Sequence, residues 1–579
     1  MQYCELDKFF RTRFEELLYK RTPDSYRVRN HNVLSILEEL CELIEGWLKR
    51  KIQNSETVVL CAEECKKLIE DDDWIDYSFY DKILLVTDID KYIKVVPDSK
   101  DKRESIYEVS SKLKYACRKC IDSNSDVYAE NLFSYLIGEI NKPGDMDEDG
   151  CYDEEMRSFE KATSYLCNEL LRLGHSKNHL YMLSSKLLKG KLNLESLKNQ
   201  LLSQPKTTYE VIYKLQSNSY IDKCKAEYGL EDNLDSIKEK LTNQKGVIPF
   251  KYFLNNSGSS LFKVFKVDAL DTYAAIKMAK DSMALMLDTL YLGNNVQASR
   301  FESKVLVLSE AATGGFYSEL RDHDYQLDGN YKSDPEMSKL LRSKVDNILA
   351  STLVKDDVKE RLKSALRHLR KANDSNDLEL QFVNYWIALE FIFSSPISHE
   401  NTFTRIKKHL VNVLCYSYIS RNVQYLDQLL HKDGVLDANK SLIRMNDSEW
   451  GNLINKVTDR RTQYRLCKMK SHLHSEKNIE EYITAHRKNL EWHIARIYRM
   501  RNELIHEAAL KQDIEGATSN LRFYLVFVLN QLVTYFPTTK MPVSINDFFH
   551  DYENKLNVIL ETKDRDYVLK AEYEMSLIC

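Results

Sequence analysis

Residues 489–510, NLEWHIARIYRMRNELIHEAAL, hold the residue types in this chain best able to do chemistry: Arg501, Asn502 and His506. A histidine with an ordinary pKa near about 6.5 accepts a proton at neutral pH, and an arginine keeps its charge throughout. Such a pair suits phosphoryl transfer in which the substrate carries its own nucleophile. The imidazole removes the proton of a ribose 2′-OH, and the guanidinium stabilises the charge that builds on the phosphoryl oxygens. The Asn502 amide holds the phosphate or orients the imidazole. This chemistry requires no metal and no cofactor, and it leaves a 2′,3′-cyclic phosphate and a 5′-OH end.

The element that must position these residues is a helix. Leu490, Ile494, Ile497, Tyr498, Leu504, Ile505 and Ala508 recur at three- and four-residue spacing and form one apolar stripe. Arg501 falls inside the stripe, where an unpaired guanidinium is costly, so it needs a carboxylate, carbonyls or a phosphate. Asn502 and His506 are about 40° apart around the helix axis, whereas Arg501 and His506 are about 140° apart. Arg501 and His506 therefore converge only if the helix loosens near Leu504 or if a second copy of the chain supplies the missing partner.

Arg-Asn-x-x-x-His at the end of an amphipathic helix resembles the motif of the HEPN superfamily, an Arg and a His with four to six residues between them. The bare spacing also occurs at Arg172/His179, Arg361/His368, Arg465/His472, Arg487/His493 and Arg499/His506, but only Arg501 is followed directly by Asn. A second stretch, FVNYWIALEFIF from Phe382 to Phe393, resembles the FxxxWxALExL helix of the ApeA-like branch, with Ile392 in place of the last Leu. Its place roughly a hundred residues before the Arg/His motif also fits that branch. The resemblance spans about residues 356–537 and leaves the first three hundred untouched. It implies a metal-independent endoribonuclease that cuts transfer or messenger RNA, active as a homodimer through the C-terminal region. It further implies a cytoplasmic prokaryotic antiviral toxin of the abortive-infection kind, answering a phage-derived trigger or partner protein, with the N-terminal part sensing or restraining. A catalytically silent HEPN fold, used for dimerisation or as an RNA- or nucleotide-binding scaffold, keeps the same helices.

Glu390 follows Leu389 at the edge of the face made by Phe382, Trp386, Leu389 and Phe393. It is expected to pair with Arg501 or to orient His506, or else to sit at the rim. The segment DRRTQYRLCKMK interleaves Arg460, Arg461, Arg465, Lys468 and Lys470 with Tyr464. Cations that hold phosphates beside a ring that stacks on a base make an RNA-binding patch; a solvated basic helix face is the plainer alternative. His472 and His474, as HLH, read as exposed loop residues before metal ligands.

The chain has 579 residues, 43% apolar and 30% charged, which suits three or four domains with ample core. The net charge of −5 gives no global basic signature, so a nucleic-acid site has to be a local patch. With 9 Pro and 16 Gly, helix is favoured throughout. No run of eighteen apolar residues occurs, and MQYCELDKFFRTRFEELL lacks the apolar core of a signal peptide, so no membrane association is expected. The 12 Cys show no framework and are expected to be reduced thiols in a cytoplasm.

The expected fold is mainly α in three parts: a helical N-terminal domain (1–205), a small α+β domain (206–333) and a HEPN-like helical bundle (334–579). In the first part, helices are expected near 30–52, 55–69, 105–121, 130–140 and 154–173. The acidic stretch 141–155 looks faintly like a calcium loop but misses the EF-hand spacing. Cys61, Cys65, Cys117 and Cys120 could form a four-thiolate zinc site, but they lie in helical patterns where plain core thiols are commoner. In the middle part, 208–215, 260–267 and 303–308 have strand character around a helix at 270–292. Its Met278, Met283 and Met286 suit core packing more than a partner surface. Gly314-Gly315-Phe316-Tyr317 reads as a loop, and no phosphate-binding glycine motif occurs.

Overall fold

The computed structural model describes residues 5–19, 22, 31–99, 103–142, 154–203, 205–216, 221–235, 251, 253, 260–293, 301–309, 315–319, 335–375, 377–395, 399–507 and 514–575. The fold is mainly α, with one small sheet. The first nine helices are α1 (Glu5–Leu18), α2 (Val33–Leu48), α3 (Ser55–Asp71), α4 (Lys82–Val95), α5 (Tyr107–Asn124), α6 (Tyr128–Asn141), α7 (Glu154–Arg172), α8 (Lys177–Leu188) and α9 (Leu194–Leu202). The middle holds β1 (Thr207–Gln216), the short α10 (Ile221–Cys224), β2 (Ser260–Ala269), α11 (Thr272–Gly293), β3 (Phe301–Ser309) and β4 (Gly315–Glu319). Then come α12 (Pro335–Ala350), α13 (Asp356–Asp374), α14 (Leu378–Phe393), α15 (Thr402–Tyr416), α16 (Tyr418–Lys432) and α17 (Asp447–Ile454). The last five are α18 (Arg460–His472), α19 (Glu476–Glu507), α20 (Ile514–Tyr535), α21 (Ile545–Thr562) and α22 (Arg565–Leu569). Among the described residues no helix is long and apolar enough to cross a membrane.

The chain divides into two compact units: Met1–Leu166 with Tyr325–Cys579, and Cys167–Asp324. The N-terminal and C-terminal helices, expected as separate domains, share one unit. The smaller unit starts before the expected boundary at 206 because α8 and α9 belong to it. Within that unit Asp271 caps the start of α11 through the backbone N–H groups of Tyr273 and Ala274. It also accepts hydrogen bonds from the backbone and hydroxyl of Ser176, the N-cap of α8. The antiparallel sheet has the order β2-β1-β3-β4. Alternation puts Val211 and Tyr213 of β1 against Ala275, Ala279 and Met283 of α11, and Ile212 against Phe262 and Leu306 on the other face. Met283 is core, as expected, while Met278 is exposed. Gly315–Glu319 is an edge strand paired to β3, a correction to the expected loop: β3 supplies the ladder that the Gly pair does not advertise.

In the larger unit α2 packs on α3 and α5, α14 on α13 and α20, and α19 on α3 and α15. Cys61, Cys65, Cys117 and Cys120 are free, buried thiols of α3 and α5, and burial pushes the Cys120 thiol up to about 12. Among the described residues no group of three or more His, Cys, Asp or Glu is placed to hold a metal ion. Cys467 is disulfide-bonded, which departs from the expectation of reduced thiols throughout. The calcium-like part of the acidic stretch, 143–153, lies outside the described residues.

Candidate active site

Helix α19 runs unbroken through the motif to Glu507, so the helix does not end inside it. Leu490, Ile494 and Ile497 are buried, and Tyr498 and Leu504 pack half-buried against the same core. Ile505 is a correction to the expected stripe: it is 44% exposed. Ala508 lies outside the described residues, as does the side chain of His506, whose backbone is helical. On a continuous helix Arg501 and His506 stay about 140° apart, and the backbone does not bring them to one atom.

Arg501 is held at both terminal nitrogens. Its Nη1 donates to Asn502 Oδ1 at 3.0 Å, and its Nη2 lies 3.4 Å from Glu390 Oε1. Its Nε is buried and has no hydrogen-bond partner among the described residues. Glu390 is in turn fixed by the indole of Trp386, one helical turn earlier on α14, whose Nε1 donates to the same oxygen at 2.7 Å. Trp386 is buried, and its ring lies 5.8 Å from that of Tyr498, which stacks on Phe403 of α15 at 4.5 Å. Tyr498 is one turn before Arg501, so the aromatic contact and the ion pair join the same two helices. Most of the apolar side of α14 packs on α13 and α20; Trp386 is its reach toward α19.

The end of α14 is pinned as well. Arg361 of α13 donates to the carbonyls of Phe391 (2.7 Å) and Ser394 (2.6 Å), and Arg405 of α15 donates to that of Phe393 (2.8 Å). Two cations on the last carbonyls satisfy acceptors that a helix leaves open and complement its dipole. Glu390, directly before the first of these carbonyls, is therefore fixed in height along the helix. Because the Arg501–Glu390 pair is partly exposed, Glu390→Gln should change unfolding free energy by less than about 1 kcal/mol. Should Arg501 act on RNA, as the resemblance implies, the same change slows cleavage about tenfold by loosening Arg501. Denaturant titration beside single-turnover cleavage checks both; a large stability loss with unchanged cleavage would make Glu390 purely structural.

The expected RNA-binding residues are placed otherwise than on a solvated face. Arg460, Tyr464 and Arg465 are buried. Arg465 pairs with Glu16 of α1, and Glu16 also takes Arg13 at 2.9 Å and lies 3.5 Å from Arg461. The Tyr464 hydroxyl donates to Glu160 of α7 at 3.2 Å, and its ring meets Phe9 edge-on at 5.4 Å. Lys468 lies 3.5 Å from Glu160, and Arg460 donates to Gln463 at 2.6 Å. Lys470 is half-buried. The acids that bind this segment come from far away in the chain, so its basic composition misled as to exposure. His472 is not an exposed loop residue: it ends α18, stacks on Tyr482 at 3.9 Å, and burial lowers its pKa to about 4. His474 is exposed, as expected.

Sequence reasoning missed a second set of charges on α19. Arg496 reaches Glu39 of α2 (3.0 Å) and Glu64 of α3 (2.6 Å); Arg499 pairs with Glu39 and donates to the carbonyl of Thr57 at 2.7 Å. All four side chains are largely buried. Burial pushes the Glu39 carboxyl up, but Arg496 and Arg499 outweigh it and hold it well below the usual range. At Glu64 burial wins and the pKa is raised. His31, 3.2 Å from Glu39, is lowered to about 3 by burial and by Arg496, so at neutral pH it is a neutral neighbour and not an ion-pair partner. The only trace in the sequence was a pair of arginines three residues apart on a helix otherwise committed to core. Comparison of the chain with protein-family models, with curated proteins and with solved structures finds no match.

Proposed function

We propose that the chain is a metal-independent endoribonuclease that cuts RNA by 2′-OH attack, with Arg501 on the phosphoryl oxygens, His506 as base and Asn502 on the phosphate or the imidazole. The observation that carries this reading is the state of Arg501. Its guanidinium is partly exposed and held in place by Glu390 and Asn502, and its Nε has no hydrogen-bond partner among the described residues, so a phosphoryl oxygen that reaches it would meet an oriented charge with donor capacity to spare. The unbroken helix supports a site completed by a second copy, since Arg501 and His506 of one chain diverge. A role as a defence toxin in a cytoplasm, released by a phage-derived trigger, belongs to the same reading and rests on the resemblance. The scaffold reading is favoured by one observation, the Arg501–Glu390 ion pair, which a structural arginine also makes.

The test is incubation of the purified chain with total RNA, transfer RNA included, in EDTA. Fragments ending in 2′,3′-cyclic phosphate are expected. Cleavage that stops in chelator and returns with a divalent metal would sink the mechanism.

A further inference from the structure

Helix α19 is gripped from two sides. Arg499 and Arg501 are two residues apart, about 200° around the axis, so their side chains leave opposite faces. Arg501 goes to Glu390 of α14. Arg499, with Arg496 one turn earlier on its own side, goes to Glu39, Glu64 and the Thr57 carbonyl of α2 and α3. The second grip is buried and balanced, two guanidiniums against two carboxylates, with His31 neutral beside them. A guanidinium fork that meets carboxylate and carbonyl together fixes orientation as well as distance.

We infer that Glu39, Glu64 and Arg499 are positioning residues for the Arg501 site, so that the N-terminal helices α2 and α3 form part of the catalytic apparatus. The inference rests on the ribonuclease reading and extends it to residues that touch no substrate. The two grips set the rotation of α19 about its own axis. Side chains end about 5–6 Å from a helix axis, so a turn of about 10° moves the Arg501 guanidinium by about 1 Å. A displacement of that size costs a reaction up to about a hundredfold. The apolar stripe alone does not fix rotation as tightly, because Tyr498 and Leu504 are only half-buried and Ile505 is exposed.

The same helices offer a control. Lys488 of α19 pairs with Glu63 of α3 at 2.7 Å, about 20 Å along the helix from Arg501. The experiment compares the full chain with Glu39→Gln, Arg499→Lys and Glu63→Gln. Circular dichroism melting shows that each is folded; Arg499→Lys keeps the charge and serves if Glu39→Gln fails to fold. Cleavage under single-turnover conditions should fall about ten- to a hundredfold in Glu39→Gln and Arg499→Lys at unchanged half-saturating RNA, with Glu39→Asp recovering part of it. Glu63→Gln should cleave like wild type. Amide exchange over residues 498–507 should quicken in the first two variants and not in Glu63→Gln. Exchange is read whether or not the chain cuts RNA, so quickened exchange supports the grip even if the ribonuclease reading fails. Unchanged exchange and turnover in a folded Glu39→Gln, or an equal loss in Glu63→Gln, overturns the inference.

Discussion

On the proposed ribonuclease reading, His506→Ala and Arg501→Ala are each expected to reduce RNA cleavage by about a hundredfold or more, and an equal mixture of the two inactive chains is expected to regain activity. The first part follows from the roles assigned: a general base contributes about 10²–10⁴-fold, and a donor at the developing charge about 10²–10³-fold. The second part follows from the helix. Arg501 and His506 lie on an unbroken α19, so the proposed site would take Arg501 from one copy and His506 from the other. In a twofold dimer made of one chain of each kind, one composite site then loses both residues and the other keeps both. With random re-pairing, half the dimers are mixed and half their sites intact, so about a quarter of wild-type activity returns. A site completed within one chain gives no recovery at any ratio. The measurement is cleavage of the RNA identified with wild type, after unfolding and refolding the chains together. A full-rate Arg501→Ala would remove the assignment altogether, and inactivity of the mixture would remove the shared site.

What could be read from the sequence was the apolar periodicity. The stripe of α2, the FVNYWIALEFIF helix, the three longer strands and the helix between them all lie close to where their patterns put them, because burial on one face is written locally. The pairing of Arg501 with Glu390 was one of two readings left open for Glu390, and the structure has it. What could not be read was where charge is buried. Arg465, Arg496 and Arg499 look like solvated charges on amphipathic helices, yet each is largely buried against a carboxylate. Glu16 and Arg465 are 449 positions apart, and Glu39 and Arg499 are 460. No window of sequence contains both members of such a pair. The same blindness lies behind the division into N-terminal and C-terminal domains: the seam between them carries buried charge beside its apolar contacts, and composition reads charge as surface. The edge strand β4 failed for a different reason. Five residues beginning with Gly carry too little pattern, and their order comes from the ladder of β3.

That charged seam makes the second large effect one of stability. Glu16→Ala should destabilise the chain by about 3–5 kcal/mol, since it strips the shared carboxylate from buried Arg465 and Arg13 and leaves Glu160, 3.2 Å from Arg13, to carry more of the local charge. Removing the carboxylate together with Arg465, as in Glu16→Leu with Arg465→Met, should restore part of the loss, because the apolar pair avoids one unpaired charge and Arg13 keeps Glu160 at 3.2 Å. Acid should do part of what the mutation does. Burial raises the Glu16 carboxyl, but Arg465, Arg13 and Arg461 outweigh it, and Lys468, Arg13 and Arg465 likewise carry buried Glu160 down to about 2. A carboxylate with a depressed folded pKa contributes fully above its ordinary value of 4.5 and loses that contribution as pH falls toward the folded one. His472, lowered to about 4 from 6.5, acts in the same direction: it is charged in the unfolded chain before it is charged in the folded one, so stability declines as pH falls from 6.5. Glu15, raised by burial, titrates in the opposite sense and offsets a part. Urea unfolding at pH 7, 5.5 and 4 should therefore show wild type weakening at each step, with Glu16→Ala already weak at pH 7 and losing less below 4.5. Wild-type stability that rises on acidification, or a Glu16→Ala cost under about 1 kcal/mol at pH 7, would mean that the seam between α1 and α18 is held by its aromatic contacts and not by its charges.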